Sequence, residues 1–266
     1  MTSGNGSRHS IAIASGKGGV GKSTVSVNLA VAVAQSGART GLLDADIYGP
    51  SIPMMTGVHR MPQSGRGKII PLEAHGLRLM SLGFLMPDGA PTVWRGPMVS
   101  GAIQQFLRDV DWGVLDYLFI DLPPGTGDAQ LTVAQSLPLT GVVIVLTPQD
   151  VATQIANKSL AMFRQLKVPI LGIVENMSQF VCPHCGTAAP IFKQGGGQRA
   201  SVQLGVPLLG EIPLDPMLCQ ASDRGEPVVT AHPESPMANA FRGVAEAVMA
   251  QVDAVAGAGP VIRMGP

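Results

Sequence analysis

A glycine-rich stretch near the start of the chain has the residue types and spacing of a phosphate-binding loop. Residues 15–24 read SGKGGVGKST and satisfy the spacing G-x-x-x-x-G-K-S/T. Glycines allow backbone N–H groups to close around phosphates, and a following helix adds the positive end of its dipole. Lys22 would neutralise the β- and γ-phosphates of ATP, while the Ser23 hydroxyl would join a Mg2+ shell. The residues predicted to bind the nucleotide here are Gly16, Lys17, Gly18, Gly19, Val20, Gly21, Lys22, Ser23 and Thr24.

Three acidic residues stand at the ends of two apolar runs that have the composition of buried strands. Asp121 ends YLFID, whereas Asp44 and Asp46 end LLDAD. Mg2+ prefers oxygen ligands and keeps several waters, so Asp121 is the candidate acid for the metal. One acid of the DAD pair would position the attacking water, and the other would orient metal-bound waters. The spacing does not decide between them, and Asp44 can equally be an ordinary turn acid.

A pair of cysteines lies far from the glycine loop along the chain. Cys182 and Cys185 stand three positions apart in VCPHCG, whereas Cys219 stands alone in a predicted helix and is interpreted as a buried apolar residue. Two thiolates are half of a tetrahedral four-sulfur set. A symmetric dimer would supply the missing pair, because a two-fold axis brings the same residues together. An iron–sulfur cluster and Zn2+ both fit such a site. A thioredoxin-like redox pair and a ligand role for His184 are further alternatives.

The elements that must position these residues follow an alternating pattern. Short apolar runs alternate with helical stretches, which predicts the α/β class: a doubly wound, mainly parallel sheet flanked by helices. A hairpin is predicted after the second strand, over residues 67–82. One domain is expected over residues 1–266, with tails at 1–8 and 253–266 and a cysteine-bearing insert of little regular structure at 178–197. The predicted strands are 10–15, 39–46, 116–121, 141–147, 168–177 and 206–215, and the predicted helices are 23–37, 150–166 and 236–252.

The composition argues against several classes of function. Lys plus Arg and Asp plus Glu number 18 each, so no strong net charge attracts nucleic acid or an anionic membrane. No apolar stretch approaches the roughly 20 residues of a membrane-spanning helix. The opening MTSGNGSRHS lacks the apolar core of a secretory signal. Three cysteines in a chain of 266 residues fit reduced thiols. We therefore expect a soluble, cytoplasmic protein with neither nucleic-acid nor membrane partners.

Four motifs taken together resemble a known superfamily. KGGVGKST with its additional lysine, DADIYGPS, DLPPGTGD and ENMS are similar to the deviant Walker A ATPases, which include MinD, ParA and the nitrogenase iron protein. Within that group the sequence resembles the Mrp/ApbC iron–sulfur cluster carriers, which share VWRGPM (93–98) and a C-x-x-C after ENMS. The resemblance covers residues 9–252. It implies a homodimeric ATPase that binds a [4Fe–4S] cluster at Cys182 and Cys185 between its subunits, receives it from a scaffold and transfers it to apoproteins.

The resemblance also implies roles for individual residues. Lys17 would cross the dimer interface and stabilise charge on the phosphates bound by the other subunit, although a solvated loop lysine is the simpler alternative. Asp46 would handle the attacking water. Asn176 would read the adenine through its amide, and Pro213 and Asp215 would border the base.

Two other functions remain open on the sequence alone. A positioning ATPase of the MinD or ParA kind would require a basic face or a basic amphipathic tail, and neither is evident. An ATPase whose cysteine pair binds a structural zinc ion would keep the same nucleotide site. Metal content distinguishes zinc from a cluster, and sedimentation with liposomes or DNA tests a positioning role.

Overall fold

The computed structural model describes residues 7–65, 67–85, 96–125, 128–149, 154–182, 184–189, 191–192 and 195–257. Within the motifs above, residues 93–95 of VWRGPM and residues 126–127 of DLPPGTGD lie outside the described residues. The strands are β1 (Ser7–Ser15), β2 (Thr40–Asp44), β3 (Ser64–Gly65), β4 (Lys68–Ile69), β5 (Leu72–Ala74), β6 (Leu77–Ser81), β7 (Leu115–Asp121), β8 (Gly141–Leu146), β9 (Ile170–Val181), β10 (Ala188–Ala189) and β11 (Leu208–Leu214). The helices are α1 (Lys22–Gln35), α2 (Ile52–Thr56), α3 (Gly96–Asp109), α4 (Asp128–Gln135), α5 (Gln154–Gln165), α6 (Gly196–Leu204), α7 (Pro216–Asp223), α8 (Val228–Ala231) and α9 (Pro236–Gly257), with a 3-10 turn at Leu82–Leu85.

One mainly parallel sheet organises the described part of the chain. Its strands follow the order β10-β9-β8-β1-β7-β2-β6-β5, and β11 pairs with β9 outside this path. The pairs that involve β1, β2, β7, β8 and β11 are parallel, whereas β5 and β10 pair antiparallel at the two ends. The predicted α/β class with a mainly parallel sheet is confirmed.

Helices cover both faces of the sheet, which explains why the strands read as continuous apolar runs. Successive side chains of a strand point to opposite faces, and in β1 Ile11 and Ile13 pack into one core with α1 and α9. Ala12 and Ala14 pack into a second core, to which α3, α4, α5 and α6 contribute. A strand buried on both faces needs apolar residues at every position rather than at alternate ones.

The hairpin expected after the second strand is present in shortened form. β5 and β6 pair antiparallel across a turn at His75 and Gly76, whose φ values are 52° and 77°. Residues Lys68–Ile69 pair instead with Ser64–Gly65 in a separate two-stranded sheet. β6 also pairs in parallel with β2, so the hairpin extends the main sheet.

The segment around the cysteines is more regular than predicted. β9 continues to Val181, past the predicted end at residue 177, because its extension pairs with β10 and with β11: Phe180 is the partner of both Ala189 and Leu214. Residues 178–197 therefore contain the end of β9, the strand β10 and the start of α6. These partners are distant in sequence, so a local pattern could not reveal them.

The ends of the chain are ordered further than the sequence suggested. Ser7 and Arg8 belong to β1, and residues 253–257 belong to α9, where tails were expected. The remaining tail residues, 1–6 and 258–266, lie outside the described residues. Among the described helices, none combines the length and the apolar character that crossing a bilayer requires.

Candidate functional site

The carboxyl ends of three neighbouring strands bring the predicted acids to the glycine loop. β1, β7 and β2 are parallel neighbours, and in open α/β sheets ligands bind outside the carboxyl ends of the strands. Asp44 and Asp121 are register partners on β2 and β7, and Asp121 pairs with Ile13 of β1. β1 ends at Ser15, so Gly16 begins the loop at this same edge.

The glycine loop ends at the start of α1. Gly21 has a φ of 80° and precedes Lys22, the first helical residue, without a side-chain cap. The first N–H groups of α1 thus face the loop, as an anion site requires. Lys17 is half-buried beside them, and its carbonyl oxygen accepts a hydrogen bond from Ser15 Oγ at 3.0 Å. A cavity of about 190 Å³ here is lined by Ser15, Lys17, Gly18, Gly19, Gly21, Lys22, Ser23, Thr24, Asp46, Ser51, Met55 and Pro124.

Asp121 is the centre of a short hydrogen-bond network at the start of α1. Lys22 Nζ lies 2.7 Å from Asp121 Oδ2 and 3.5 Å from Asp46 Oδ2. Ser23 Oγ donates to Asp121 Oδ2 at 2.5 Å, and Ser26 Oγ donates to Asp121 Oδ1 at 2.6 Å. Ser26 was missed by sequence reasoning. It carries no sequence signal beyond being a polar residue three positions after Ser23, and the bond fixes the carboxylate in place.

Asp44 is buried at the end of β2 and is held from two sides. Its Oδ2 accepts from Ser81 Oγ at 2.9 Å, and its Oδ1 accepts from the backbone N–H of Asp46 at 3.0 Å. Burial, followed by the charge of Asp121, raises the pKa of Asp44 to about 8. Ser81 was also missed, because only the pairing of β6 with β2 brings it here.

The donor set at this edge fits a hard divalent cation. Asp44, Asp121 and Ser23 offer oxygen atoms, the ligand type that Mg2+ prefers. Burial also raises the pKa of Asp46, whose Oδ1 is buried without a hydrogen-bond partner among the described residues. Several buried acids around one lysine leave negative charge that a dication would compensate. Ser23 and Asp121 are the residues that would hold the ion, with Asp44 beside them.

The raised pKa of Asp44 predicts a pH-dependent stability in metal-free protein. In the native state Asp44 has a pKa of about 8, whereas an aspartate in the unfolded chain has a pKa of about 3.9. The native state therefore binds more protons within this window, and the free energy of unfolding contributed by Asp44 falls as pH rises. Asp44→Asn removes the titrating group and is expected to flatten that fall.

Urea denaturation with a chelator, at about pH 5 and about pH 8, measures this difference. Asp116→Asn is the matched control. The hydrogen bonds from Arg39 hold the pKa of Asp116 at about 2, so its titration lies below the window. If the free energy of unfolding fell equally between the two pH values in wild type and in Asp44→Asn, the raised pKa would not belong to Asp44.

A second cavity, of about 300 Å³, adjoins the cavity at the glycine loop and contains the residues expected to border a base. We call it the base cavity. Asn176 Nδ2 donates to the carbonyl oxygen of Val20 at 2.8 Å, while Asn176 Oδ1 is buried without a partner among the described residues. Asp215 caps α7 by accepting from the N–H of Met217 at 2.8 Å. The cavity is lined by Gly21, Thr24, Met55, Asn176, Met177, Pro213, Leu214, Asp215, Leu218, Cys219, Ser222 and Asp223. The three predicted base residues, Asn176, Pro213 and Asp215, therefore lie together.

Cys219 does not occupy the position that the sequence suggested. It was expected to be buried, yet its side chain is exposed on α7. Leu218 and Ala221 supply the buried face of this helix, which leaves Cys219 on the side of the base cavity.

Gly21 is expected to tolerate no side chain. A Cβ at this position would lie 2.2 Å from Asn176 Nδ2, and its φ of 80° is unfavourable for other residues. Gly21→Ala should therefore lower the free energy of unfolding by about 1–3 kcal/mol. Gly18→Ala is the control, because its Cβ would meet no atom within 4 Å, and its effect should stay within about 0.5 kcal/mol. Urea denaturation without nucleotide measures both, and equal effects would contradict this account.

The cysteine pair lies on a tight turn directly after β9. The N–H of Cys182 donates to the carbonyl oxygen of Thr187 at 3.0 Å, and the N–H of Gly186 donates to that of Cys182 at 2.9 Å. Cys182 is half-buried and Cys185 is exposed. The Cys185 thiol donates a hydrogen bond to Thr187 Oγ1 at 3.3 Å. Hydrogen bonding with Thr187 lowers the pKa of Cys185. His184 is exposed. In the part of the chain that the structure describes, no group of three or more His, Cys, Asp or Glu residues could hold a metal ion.

Comparison with known proteins agrees with this geometry. The ParA family model, described as NUBPL iron-transfer P-loop NTPase, matches residues 6–249. The iron-sulfur cluster carrier protein of Deinococcus radiodurans is 52% identical over 249 residues, which are 93% of this chain and 71% of that protein. An iron-sulfur protein required for NADH dehydrogenase, mitochondrial, from Arabidopsis thaliana is 51% identical over 241 residues, 90% of this chain and 77% of that protein.

Solved structures extend the comparison to the fold. A nucleotide-binding protein from Archaeoglobus fulgidus, in complex with ADP, has a TM-score of 0.78 and 40% identity, and the match covers 89% of this chain and 93% of that one. The cell division ATPase MinD of Pyrococcus furiosus shares the fold, with a TM-score of 0.69, 23% identity and coverage of 91% and 98%. The resemblance drawn from the motifs is thereby confirmed. The chain belongs to the family of NUBPL iron-transfer P-loop NTPases.

Proposed function

We propose that this protein hydrolyses ATP and carries iron–sulfur clusters, binding one [4Fe–4S] cluster between two copies of the chain and transferring it to apoproteins. Relatives named as cluster carriers support the cargo. The observation that carries the proposal is the path of β9. Asn176 contacts the glycine loop, and the same strand ends at Val181, directly before Cys182. At about 3.3 Å per residue, one strand joins the two sites over roughly 20 Å.

The residues of the glycine loop would bind and activate the nucleotide. The N–H groups at the start of α1 would contact the phosphates, and Lys22 would neutralise the charge that develops on them. Ser23 and Asp121 would hold a Mg2+ ion, which would supply positive charge to compensate the phosphates. Asp46 has a buried oxygen without a partner among the described residues, so it can accept a hydrogen bond from the attacking water. Asp44, held by Ser81, would orient waters on the metal.

The cysteine pair requires a second copy of the chain. Cys182 and Cys185 supply two of the four thiolates that a [4Fe–4S] cluster takes. Cys219 cannot complete the set within one chain, because it lies in the wall of the base cavity rather than on the turn. A two-fold axis through the turn would bring two pairs together. Zinc at the same four sulfurs is the competing outcome.

Lys17 is expected to act on the nucleotide of the other subunit. Lys17→Ala should retain most ATP binding and lose hydrolysis, because its ammonium would stabilise the transition state and not the ground state. Mixing it with Asp46→Ala, which keeps Lys17, should restore part of the hydrolysis through heterodimers. Phosphate release across a series of mixing ratios measures this. The absence of recovery, with heterodimers shown by mass, would argue against action in trans.

Transfer of the cluster is the test of the function as a whole. Protein reconstituted anaerobically would be mixed with an apoprotein that accepts a [4Fe–4S] cluster, with and without ATP and Mg2+. The acceptor is expected to gain the absorption and activity of its loaded form. A protein that retains its metal, or contains zinc in place of iron and sulfide, would contradict the proposal.

We also propose a cytoplasmic setting with no part for DNA or membrane. The three cysteines are free thiols, which persist in a reducing compartment. Lys plus Arg and Asp plus Glu balance at 18 each, so the chain has no net field for polyanions. Sedimentation with liposomes or with DNA tests this setting, and binding to either would support a positioning role instead.

A further inference from the structure

The thiol of Cys219 is exposed in the wall of the base cavity. α7 is held in place by its Asp215 cap and by the buried side chains of Leu218 and Ala221. Cys219 lies on the same helix and lines the cavity together with Asn176 and other residues. Its sulfur lies 3.8 Å from Asp223 Oδ2, at the exposed end of the helix. A reagent can therefore reach this thiol from the space that a base would fill.

A second observation marks this cavity as a ligand site. Asn176 is 3% exposed, and its Nδ2 is engaged by Val20, while its Oδ1 is buried with no hydrogen-bond partner among the described residues. A buried acceptor without a donor is costly unless a ligand supplies one. Met177 and Pro213 add apolar surface beside it, which suits the faces of a heteroaromatic base. The cavity also adjoins the glycine loop through Gly21 and Thr24.

We propose that Cys219 is a modification site at which a low-molecular-weight disulfide closes the nucleotide site. The Cys219 thiolate would attack one sulfur of the disulfide RS–SR, forming Cys219–S–SR and releasing RS⁻, which takes a proton from water. One S–S bond forms as another breaks, so Cys219 is oxidised and the leaving thiol is reduced. Glutathione attached at this point would occupy the base cavity, so nucleotide and modification exclude each other.

This device would link carrier activity to the thiol pool of the cell. It rests on the proposed nucleotide binding. An oxidised thiol pool would modify Cys219 and so prevent ATP from binding. Cys219 is separate from the cluster thiols, which lie on the turn after β9. A reducing pool would reverse the exchange and reopen the cavity.

The test uses full-length protein in which Cys182→Ala and Cys185→Ala leave Cys219 as the reactive thiol. Nucleotide affinity is measured first, with a fluorescent ADP analogue. The rate of modification by oxidised glutathione is then followed by mass, with and without ADP. At about 100 times its Kd, ADP leaves about 1% of sites free, so the rate is expected to fall by about 100-fold. The modified protein should lose ADP binding, and dithiothreitol should restore it.

A matched control moves the thiol by one helix position. Gln220 is exposed on α7 and is not part of the cavity wall. In the same background, Cys219→Ser combined with Gln220→Cys should be modified at a rate that ADP does not change, and its ADP binding should survive modification. The proposal is overturned if ADP binds yet fails to protect Cys219, or if modified protein binds ADP normally. A failure of unmodified wild type to bind nucleotide would instead overturn the proposed function, and with it this inference.

Discussion

Lys22→Ala is expected to lower the affinity for Mg-ATP by about 100-fold or more, because the phosphates would lose the ammonium that compensates their charge. Removing one partner of a buried charge pair costs about 3–5 kcal/mol. The Lys22 side chain is 5% exposed, and its Nζ lies 2.7 Å from Asp121 Oδ2 and 3.5 Å from Asp46 Oδ2. Without it, Asp121 and Asp46 would face the phosphates and lose the ammonium that now contacts both carboxylates. Titration calorimetry with a non-hydrolysable analogue measures the loss.

Lys17→Ala is the matched control for this experiment. Lys17 lies in the same loop and lines the same cavity, but Lys22 contacts the acids that surround the phosphate site. The control should therefore bind the analogue nearly as well as wild type. Circular dichroism of both variants separates lost binding from lost folding. An affinity that is unchanged in folded Lys22→Ala would remove the basis for the nucleotide site.

Cys182→Ala or Cys185→Ala is expected to abolish cluster binding. A [4Fe–4S] cluster takes four thiolates, and each chain supplies two on the turn after β9. Wild type should therefore load one cluster per two chains, and either variant leaves at most half of the ligands. Anaerobic reconstitution measures this through iron and sulfide per chain and mass in solution.

Cys219→Ala should leave the cluster in place, since Cys219 lies on α7 beside the base cavity. Chelation of the iron should also weaken the dimer, because the cluster would be part of the contact between subunits. Full loading of a monomer, or a cluster retained in either turn variant, would contradict the bridging model. Stoichiometric zinc under anaerobic conditions would favour a structural metal.

The sequence by itself determined the class of fold and the nucleotide loop, because both follow from short-range rules. Apolar runs alternating with helical stretches specify a parallel sheet covered on both faces. The loop spacing places a glycine, Gly21, directly before α1, where the backbone has a φ of 80°. Asp121 ends one predicted strand and Asp44 lies two residues before the end of another, and parallel strands bring those ends to one edge.

Element boundaries depended on partners that are remote in sequence. The predicted strand at 168–177 is longer in the structure, because β10 and β11 pair with its extension to Val181. This extension places the cysteine turn on the same strand as Asn176. Hydrogen bonds between strands that are far apart in the chain leave no trace in a local pattern.

Only the tertiary structure decided which side chains support the site and which face solvent. Ser26 and Ser81 hold Asp121 and Asp44, and neither has a motif that marks it. Cysteine is a residue type that is often buried, yet Cys219 is exposed, because Leu218 and Ala221 fill the core side of α7. A residue type limits what a side chain can do, whereas the packing of its helix against the sheet decides which way it faces.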